Sequence, residues 1–225
     1  MLVQQNEQGT FLNYSSSISV PKLIKISSNL TVALFELMKL IPAKYTILKA
    51  LKERKLDPNY PIVETSSGTY ALGMAIVCAE LKIPFFIISD PIIDDNLKSR
   101  LIALGGRVQI ISSSTDSVDV QTLRLNALND YLSTNPRGFW PAQYDNPENS
   151  ESYYSFAELL LNQVGKDFTL VGAVGSGGST CGTIERLRKD SNSIKLIGVD
   201  TFGSALFGLE KKPRKLKDDA LQEIS

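Results

Sequence analysis

Short apolar runs alternate with longer amphipathic segments along most of this chain. The apolar runs predict strands and the amphipathic segments predict helices, because side chains repeat every two residues along a strand and about every 3.6 along a helix. The predicted strands are 22–26, 31–36, 62–64, 85–88, 108–111, 168–171 and 195–200. The predicted helices are 44–55, 71–81, 94–104, 119–132 and 154–164, followed by a helix from Thr183. This order predicts an α/β protein whose parallel sheet is covered by helices on both faces.

The polar, turn-rich segment 143–149 marks a boundary between two βα blocks. The predicted division is an N-terminal tail with strands that pack on the larger domain (1–39), a smaller βα domain (40–145) and a partial larger domain (146–225). Residues 1–17 are polar and serine-rich, and residues 210–225 are charged and weakly periodic. Both segments are therefore expected to be loosely held.

Charge and cysteine content narrow the class of protein. Lys and Arg total 24, as do Asp and Glu, so no net field favours nucleic acid or an anionic membrane as a partner. No apolar run is long enough to span a membrane and the first residues do not resemble a secretion signal, so a cytoplasmic location is expected. Cys78 and Cys181 have no C-x-x-C spacing, so neither a disulfide framework nor a metal site is expected.

The chain contains no histidine. Nucleophilic catalysis by Ser-His-Asp or Cys-His groups is therefore excluded, and the commonest metal ligand is absent. Acid–base chemistry would have to come from Lys, Asp, Glu, Tyr or a cofactor.

A glycine-rich turn, G-A-V-G-S-G-G-S-T-C-G at 172–182, follows the apolar run 168–171 and precedes a helical segment. Glycines allow backbone N–H groups to converge, and a helix N-terminus adds partial positive charge, so the pattern is typical of a phosphate site. It has neither the Lys of a Walker loop nor the G-x-G-x-x-G spacing of a dinucleotide site. The alternative is that the glycines only permit a tight strand-to-helix turn.

A second strand–turn–helix unit carries the polar turn T-S-S-G-T-Y at 65–70 between the strand 62–64 and the helix 71–81. Small hydroxyl groups and a glycine at a helix N-terminus can bind a carboxylate or a phosphate. Plain N-capping by Ser66 or Ser67 is the alternative for this turn.

Together these motifs resemble the fold-type II (tryptophan synthase β-like) pyridoxal-5′-phosphate (PLP) enzymes, most closely the cysteine synthase and cystathionine β-synthase branch. The matching pieces, in order, are a lysine near position 44, the Ser-Gly loop, a Q-Y-D-N-P-x-N segment from Gln143 and a G-x-G-G-[ST] turn. They cover roughly residues 18–215. The resemblance implies two βα open-sheet blocks, of which the second is incomplete.

The resemblance also implies which residues bind cofactor and substrate. The family's phosphate turn G-T-G-G-T corresponds here to Gly175, Ser176, Gly177, Gly178 and Ser179. Its T-S-G-N-T loop, which binds the substrate's α-carboxylate, corresponds to Ser66, Ser67, Gly68, Thr69 and Tyr70. Thr69 replaces the asparagine that contacts the cofactor's 3′-oxygen and is expected to donate a weaker hydrogen bond. Gln143 corresponds to the family's glutamine, so the resemblance implies that it also contacts the substrate carboxylate.

Lys44 is predicted to be the Schiff-base lysine and to shuttle the α-proton. The family's lysine lies in N-P-x-x-S-x-K-D-R, and the neighbours of Lys44 depart from that pattern. Lys39 is the competing candidate, although Lys44 has the better register against the helix that follows. A solvated lysine in the first turn of an amphipathic helix is the structural alternative for Lys44.

The implied activity is β-replacement on an activated serine: O-acetylserine and sulfide give L-cysteine through a Lys44 aldimine and an aminoacrylate. Another β-replacement or a dehydratase is an alternative, because Thr69, Tyr70 and Tyr153 could reshape the pocket. Family members extend well past residue 225, so a non-catalytic shortened paralogue is the other alternative. The expected partners are a small amino-acid substrate and either a second copy or a chain that supplies the missing C-terminal part.

Overall fold

A computed structural model describes residues 10–112, 120–201 and 204. The chain forms two compact units, residues 1–156 and 157–225. No helix within the described ranges is both long and apolar enough to cross a membrane. The predicted division at residue 145 stays a prediction, and the two units are treated separately below.

Eight helices and seven strands are found in the described part of the chain. The helices are α1 (Tyr14–Ser17), α2 (Leu40–Lys52), α3 (Thr69–Leu81), α4 (Asp95–Ala103), α5 (Val120–Thr134), α6 (Glu148–Glu151), α7 (Tyr154–Gln163) and α8 (Gly178–Asp190). The strands are β1 (Lys22–Lys25), β2 (Thr31–Leu34), β3 (Ile62–Thr65), β4 (Phe85–Ser89), β5 (Arg107–Ile110), β6 (Thr169–Ala173) and β7 (Lys195–Val199).

The centre of the first unit is a parallel three-stranded sheet in the order β3-β4-β5. β3 and β4 are buried along their whole length, as expected for apolar strands covered on both faces. Alternate residues of these strands enter two cores. Ile62 and Ile87 pack with α2 and α3, whereas Val63 and Phe86 pack with Leu128 of α5. The prediction of a parallel sheet with helices on both faces is therefore confirmed for this unit.

The strands β1 and β2 form a separate antiparallel pair in the same unit. In the second unit β6 and β7 form a parallel pair, and α8 connects them. A parallel pair needs such a crossover, so the glycine turn lies where β6 ends and the crossover helix begins.

Three helices begin earlier than predicted, and for α3 the difference is only two residues, Thr69 instead of Ala71. α2 starts at Leu40 instead of Lys44, because Pro42 lies in its first turn, where a residue without an N–H is tolerated. α8 starts at Gly178 instead of Thr183, so Gly178 and Ser179 are its first two residues. The N-terminus of α8 therefore lies within the glycine-rich turn, so its unbonded N–H groups belong to that turn.

The prediction of a loose tail over 1–17 was wrong for the residues of α1. Asn13 caps this short helix, and its side chain accepts a hydrogen bond from the Ser16 N–H at 2.9 Å. Ser15 and Ser16 are fully buried. The hydroxyl groups are satisfied by hydrogen bonds, which is why a serine run can lie inside the protein. The predicted C-terminal tail, 210–225, lies outside the described residues.

Candidate functional site

The predicted substrate loop lies at the carboxyl end of β3, where the chain turns into α3. Gly68 is the N-cap residue of α3, and no side chain caps this helix. The Gly68 N–H donates to Ser66 Oγ at 3.3 Å, and Gly68 and Thr69 are exposed. The loop therefore presents a helix N-terminus and the Thr69 side chain to the surface, while Ser66 is buried and Ser67 half-buried. An uncapped helix N-terminus suits a carboxylate.

The structure brings Gln143 to this loop. Its side-chain Nε2 donates to the Thr65 carbonyl oxygen at 3.0 Å, one residue before Ser66, and its own carbonyl accepts from Asn149 Nδ2 at 2.7 Å. Gln143 is 5% exposed. Two predicted substrate-binding elements that are far apart in sequence are thus adjacent in the first unit.

A buried carboxylate, Glu64, holds the two elements together. It is 1% exposed and accepts hydrogen bonds from the Thr65 N–H at 2.8 Å, the Trp140 indole N–H at 3.0 Å and the Gln143 N–H at 3.2 Å. Burial raises the pKa of Glu64 to about 7, although these donors favour the ionised form. The site is therefore organised around a carboxyl group that titrates near neutral pH.

The other part of the loop is held by an ion pair. Arg124 Nη1 of α5 lies 2.8 Å from Asp90 Oδ2, which follows β4, and 2.5 Å from Ser67 Oγ. Ser67 Oγ in turn donates to Asp90 Oδ2 at 2.9 Å. Arg124 is 8% exposed and Asp90 6% exposed.

The structure does not bring Lys44 to the loop. Lys44 is 3% exposed, and its Nζ donates to Ser16 Oγ at 2.9 Å. Burial lowers the pKa of Lys44 to about 8, while the charge of Glu80 opposes that shift. Glu80 lies near the end of α3 and accepts a hydrogen bond from the Ser15 N–H at 2.7 Å. Eleven residues separate Glu80 from Thr69, which corresponds to about 16 Å along the helix.

Lys39, the competing lysine, is the N-cap residue of α2. A Cβ atom placed on Gly73 would lie 2.9 Å from the Lys39 carbonyl oxygen and 2.8 Å from Leu40 Cα, so the two helices touch there through their backbones. Gly73 is one helical turn, about 6 Å, from Thr69 at the loop. Burial lowers the pKa of Lys39. Lys39 thus lies closer to the loop of residues 65–70 than Lys44 does.

Tyr153 has a structural role at the same place. Its side chain is 1% exposed, and its hydroxyl donates to the Met38 carbonyl oxygen at 3.2 Å. This hydrogen bond fixes the chain directly before Lys39.

In the second unit the predicted phosphate turn joins β6 to α8. Gly177 is the N-cap of α8 with a φ of +84°, a conformation that favours glycine, and no side chain caps the helix. A Cβ atom on Gly175 would meet no atom within 4 Å, and both Gly175 and Ser176 are exposed. The turn has room for an anion beside a helix N-terminus, so its shape fits a phosphate group.

Sequence reasoning missed Glu64, Asp90 and Arg124. Asp90 carried a usable signal, because it directly follows the apolar strand β4 just as Ser66 follows β3, and the carboxyl ends of neighbouring parallel strands meet at one edge of the sheet. Glu64 was also visible as a charge in an apolar run. Arg124 had no local signal, since charged residues are common in an amphipathic helix.

A match to a family model shows the class of enzyme to which the chain belongs. Residues 38–223 match the family model described as pyridoxal-phosphate dependent enzyme. The chain belongs to this family, and the predictions of the family, of an enzyme and of PLP as cofactor are confirmed at that level.

Among curated proteins, the chain is 30% identical over 177 residues to N-(2-amino-2-carboxyethyl)-L-glutamate synthase of Cupriavidus metallidurans, covering 78% of this chain and 52% of that protein. It is 26% identical over 183 residues to cysteine synthase of Helicobacter pylori, covering 80% of this chain and 59% of that protein. The chain spans about half the length of the curated relatives it matches.

Solved structures confirm the predicted fold class. A cysteine synthase of Entamoeba histolytica aligns with a TM-score of 0.82 at 19% identity, covering 96% of this chain and 69% of that one. An O-acetylserine dependent cystathionine β-synthase of Helicobacter pylori aligns with a TM-score of 0.77 at 23% identity, covering 89% and 69%. At these identities the likeness shows the fold alone.

Proposed function

We propose that this protein catalyses a PLP-dependent β-replacement on an activated serine, with O-acetylserine and sulfide as substrates and L-cysteine as product. The observation that carries the proposal is the position of Gln143 beside the Ser66–Thr69 loop, both at the carboxyl end of β3. This arrangement suits the α-carboxylate of an amino acid, because the loop has N–H and hydroxyl groups at the uncapped N-terminus of α3 that can donate hydrogen bonds to a carboxylate. The family match and the relative named cysteine synthase support the choice of reaction.

The turn of residues 175–179 is proposed to hold the phosphate of PLP through backbone N–H groups and the N-terminus of α8. Thr69 is exposed at the start of α3 and is proposed to donate a hydrogen bond to the cofactor ring oxygen. PLP, when bound, withdraws electrons from the α-carbon of the amino acid. The protein's part is to hold the carboxylate and to move a proton at that carbon.

We propose Lys39 as the lysine that carries the cofactor. Both candidate lysines have a pKa lowered by burial, which favours the neutral amine that reacts with an aldehyde. Their positions differ, since Lys39 starts α2 beside the first turns of α3, whereas the Lys44 ammonium lies with Ser16 and Glu80. Lys44 stays a sequence prediction, and a structural role inside the first unit accounts for its contacts.

Borohydride trapping separates the two lysines. The protein is incubated with PLP, reduced with sodium borohydride, digested and mapped by mass spectrometry. The expected result is a phosphopyridoxyl adduct on Lys39 that is lost in Lys39→Ala and retained in Lys44→Ala. An adduct on Lys44 in the wild-type chain would reverse the assignment, and an adduct on neither would favour the non-catalytic alternative.

The second candidate function uses an amino acid in place of sulfide. It is favoured by the 30% identity to a relative whose name describes a 2-amino-2-carboxyethyl group joined to glutamate. The PLP-loaded wild-type protein, not treated with borohydride, is tested with a substrate panel in which O-acetylserine or O-phosphoserine is combined with sulfide or L-glutamate. Product identified by mass spectrometry only with glutamate would replace the cysteine synthase proposal, and pyruvate release without a nucleophile would favour a dehydratase.

A cytoplasmic location and a homodimer complete the proposal. Cys78 is buried and Cys181 exposed, and both are free thiols in the described residues, which suits a reducing compartment. Light scattering on the purified chain measures the oligomeric state, and a monomer that still forms the Lys39 adduct would separate cofactor binding from dimerisation.

A further inference from the structure

The Ser67 hydroxyl is held by two charged residues from other elements. Arg124 Nη1 donates to Ser67 Oγ at 2.5 Å, and Ser67 Oγ donates to Asp90 Oδ2 at 2.9 Å. Arg124 and Asp90 also pair directly at 2.8 Å. The three groups form a closed triangle that links α5, the end of β4 and the substrate loop.

The triangle fixes the direction of the Ser67 proton. A serine hydroxyl has one proton, and here that proton points to the Asp90 carboxylate, while a lone pair of Oγ accepts from Arg124. Ser67 therefore has no hydroxyl proton left for a substrate. Ser66 differs, because its Oγ accepts from the Gly68 N–H, and no bond donated by this hydroxyl is found in the described part of the chain.

The cost of burying the pair argues against a role in stability alone. Arg124 and Asp90 are both more than nine-tenths buried, and a buried ion pair contributes little net stability because both charges lose hydration. Arg124 Nε is itself buried without a hydrogen-bond partner among the described residues. Charged groups held in such an environment restrict a neighbouring polar group to one orientation.

We propose that Arg124 and Asp90 are positioning residues that lock Ser67 and thereby fix the loop of residues 66–69 in the shape that receives the substrate carboxylate. The loop's direct donors are then the backbone N–H groups and the Ser66 hydroxyl. The proposal rests on the proposed function for the identity of the ligand, whereas the locking of the loop does not depend on PLP.

The first test uses the cofactor-free chain, so a failure to bind PLP does not affect it. Amide hydrogen exchange is measured for peptides that contain residues 66–70 in Ser67→Ala, which keeps the ion pair, and in the double variant Arg124→Gln/Asp90→Asn, which leaves no unpaired charge. Ser67→Ala removes both charge-assisted hydrogen bonds of the hydroxyl group, and the double variant leaves only neutral partners for it, so exchange of the loop is expected to speed up about tenfold in both variants. Arg186→Gln in the second unit removes the ion pairs of another arginine, with Glu158 and Asp190; it is the control and should leave the loop unchanged.

A rise in exchange confined to the loop supports locking, and a uniform rise that includes β3 and β4 means that the pair only stabilises the fold and overturns the proposal. An unchanged loop in both variants overturns it as well. Ser67→Thr keeps the hydroxyl and is expected to restore slow exchange.

The second test distinguishes positioning from direct contact in the PLP-loaded chain. The affinity for L-alanine, a non-reacting amino acid, is measured from the change in visible absorbance. Ser67→Ala and the Arg124→Gln/Asp90→Asn variant are each expected to weaken binding about tenfold, and combining all three changes should weaken it no further. A combined effect of about a hundredfold would mean that Arg124 contacts the ligand itself, which contradicts a positioning role.

Discussion

The buried carboxyl group of Glu64 makes the stability of the first unit depend on pH. Its pKa is raised by burial from 4.5 to about 7. Between these values the folded protein binds a proton that the unfolded chain has released, so the free energy of unfolding falls as pH rises. The two pKa values give a loss of about 2.5 kcal/mol between pH 5 and pH 8, since each pKa unit corresponds to about 1.4 kcal/mol.

The variant Glu64→Gln isolates this effect. The change replaces one carboxylate oxygen with an NH2 group, so either Trp140 or Gln143 loses its acceptor, and the resulting destabilisation does not vary with pH. The effect of Glu64 titration is the pH-dependent part of the difference in free energy of unfolding between the wild type and the variant. Urea denaturation at several pH values should show the wild type losing about 2.5 kcal/mol more than Glu64→Gln from pH 5 to pH 8. Glu36→Gln, a change at an exposed glutamate, should run parallel to the wild type.

Trp140 provides a second measurement in the native state. It is the only tryptophan of the chain, and its indole N–H donates directly to Glu64 Oε1. Its fluorescence should titrate with a midpoint near pH 7 in the wild type and stay flat in Glu64→Gln. Parallel stability curves together with a flat wild-type fluorescence titration would refute the reasoning, because they would mean that the hydrogen-bond donors outweigh burial and keep Glu64 ionised throughout.

Three further changes test individual contacts by urea denaturation. Gly73→Ala places a methyl group 2.8 Å from Leu40 Cα, so it should destabilise by about 1–2 kcal/mol even after the gain in helix propensity, and it should reduce PLP trapping at Lys39. Gly177→Ala requires a φ of +84° and should cost about 1–2 kcal/mol. In the wild type the free energy of unfolding should rise between pH 8 and pH 10, because the pKa of Lys44 is lowered to about 8 and the folded protein releases its proton before the unfolded chain does. Lys44→Met should remove this rise.

Each of these changes has a control. Gly175→Ala adds the same methyl group where no atom lies within 4 Å, so its stability should stay within about 0.5 kcal/mol of wild type. Lys22→Met replaces an exposed lysine and should leave the alkaline profile unchanged. A neutral Gly73→Ala would mean that α2 and α3 are not in backbone contact, and an unchanged alkaline profile of Lys44→Met would mean that this lysine is not desolvated.

The sequence predicted the elements that carry a regular pattern. The parallel strands and the helices between them follow from apolar periodicity, and the two turns at helix N-termini follow from glycine and serine. The exact start of α2 could not be predicted, because a proline inside a helical pattern usually marks the end of a helix. Only the structure shows that Pro42 lies in the first turn of α2. That error of four residues made Lys44 look like the first residue of the helix, when Lys39 is the N-cap residue.

The long-range contacts of Arg124 and Gln143 could not be predicted from sequence patterns. Arg124 is one of several polar residues in α5, and only packing brings its guanidinium to Ser67, which is 57 residues earlier in the chain. The contact between Gln143 and Thr65 likewise spans 78 residues. Such contacts depend on how helices dock on the sheet, whereas local propensity and periodicity describe only neighbours in sequence.

The loop of residues 65–70 is held by contacts that do not involve the Thr69 side chain. The loop departs from the family pattern at Thr69 and Tyr70, yet it is held from outside by Glu64, through Gln143 and Trp140, and by the Arg124–Asp90 pair, through Ser67. Thr69 is exposed and makes no part of these anchors. Its side chain can therefore vary without loss of the loop's shape, whereas a change at a buried charge should alter the shape of the loop while leaving every motif residue in place.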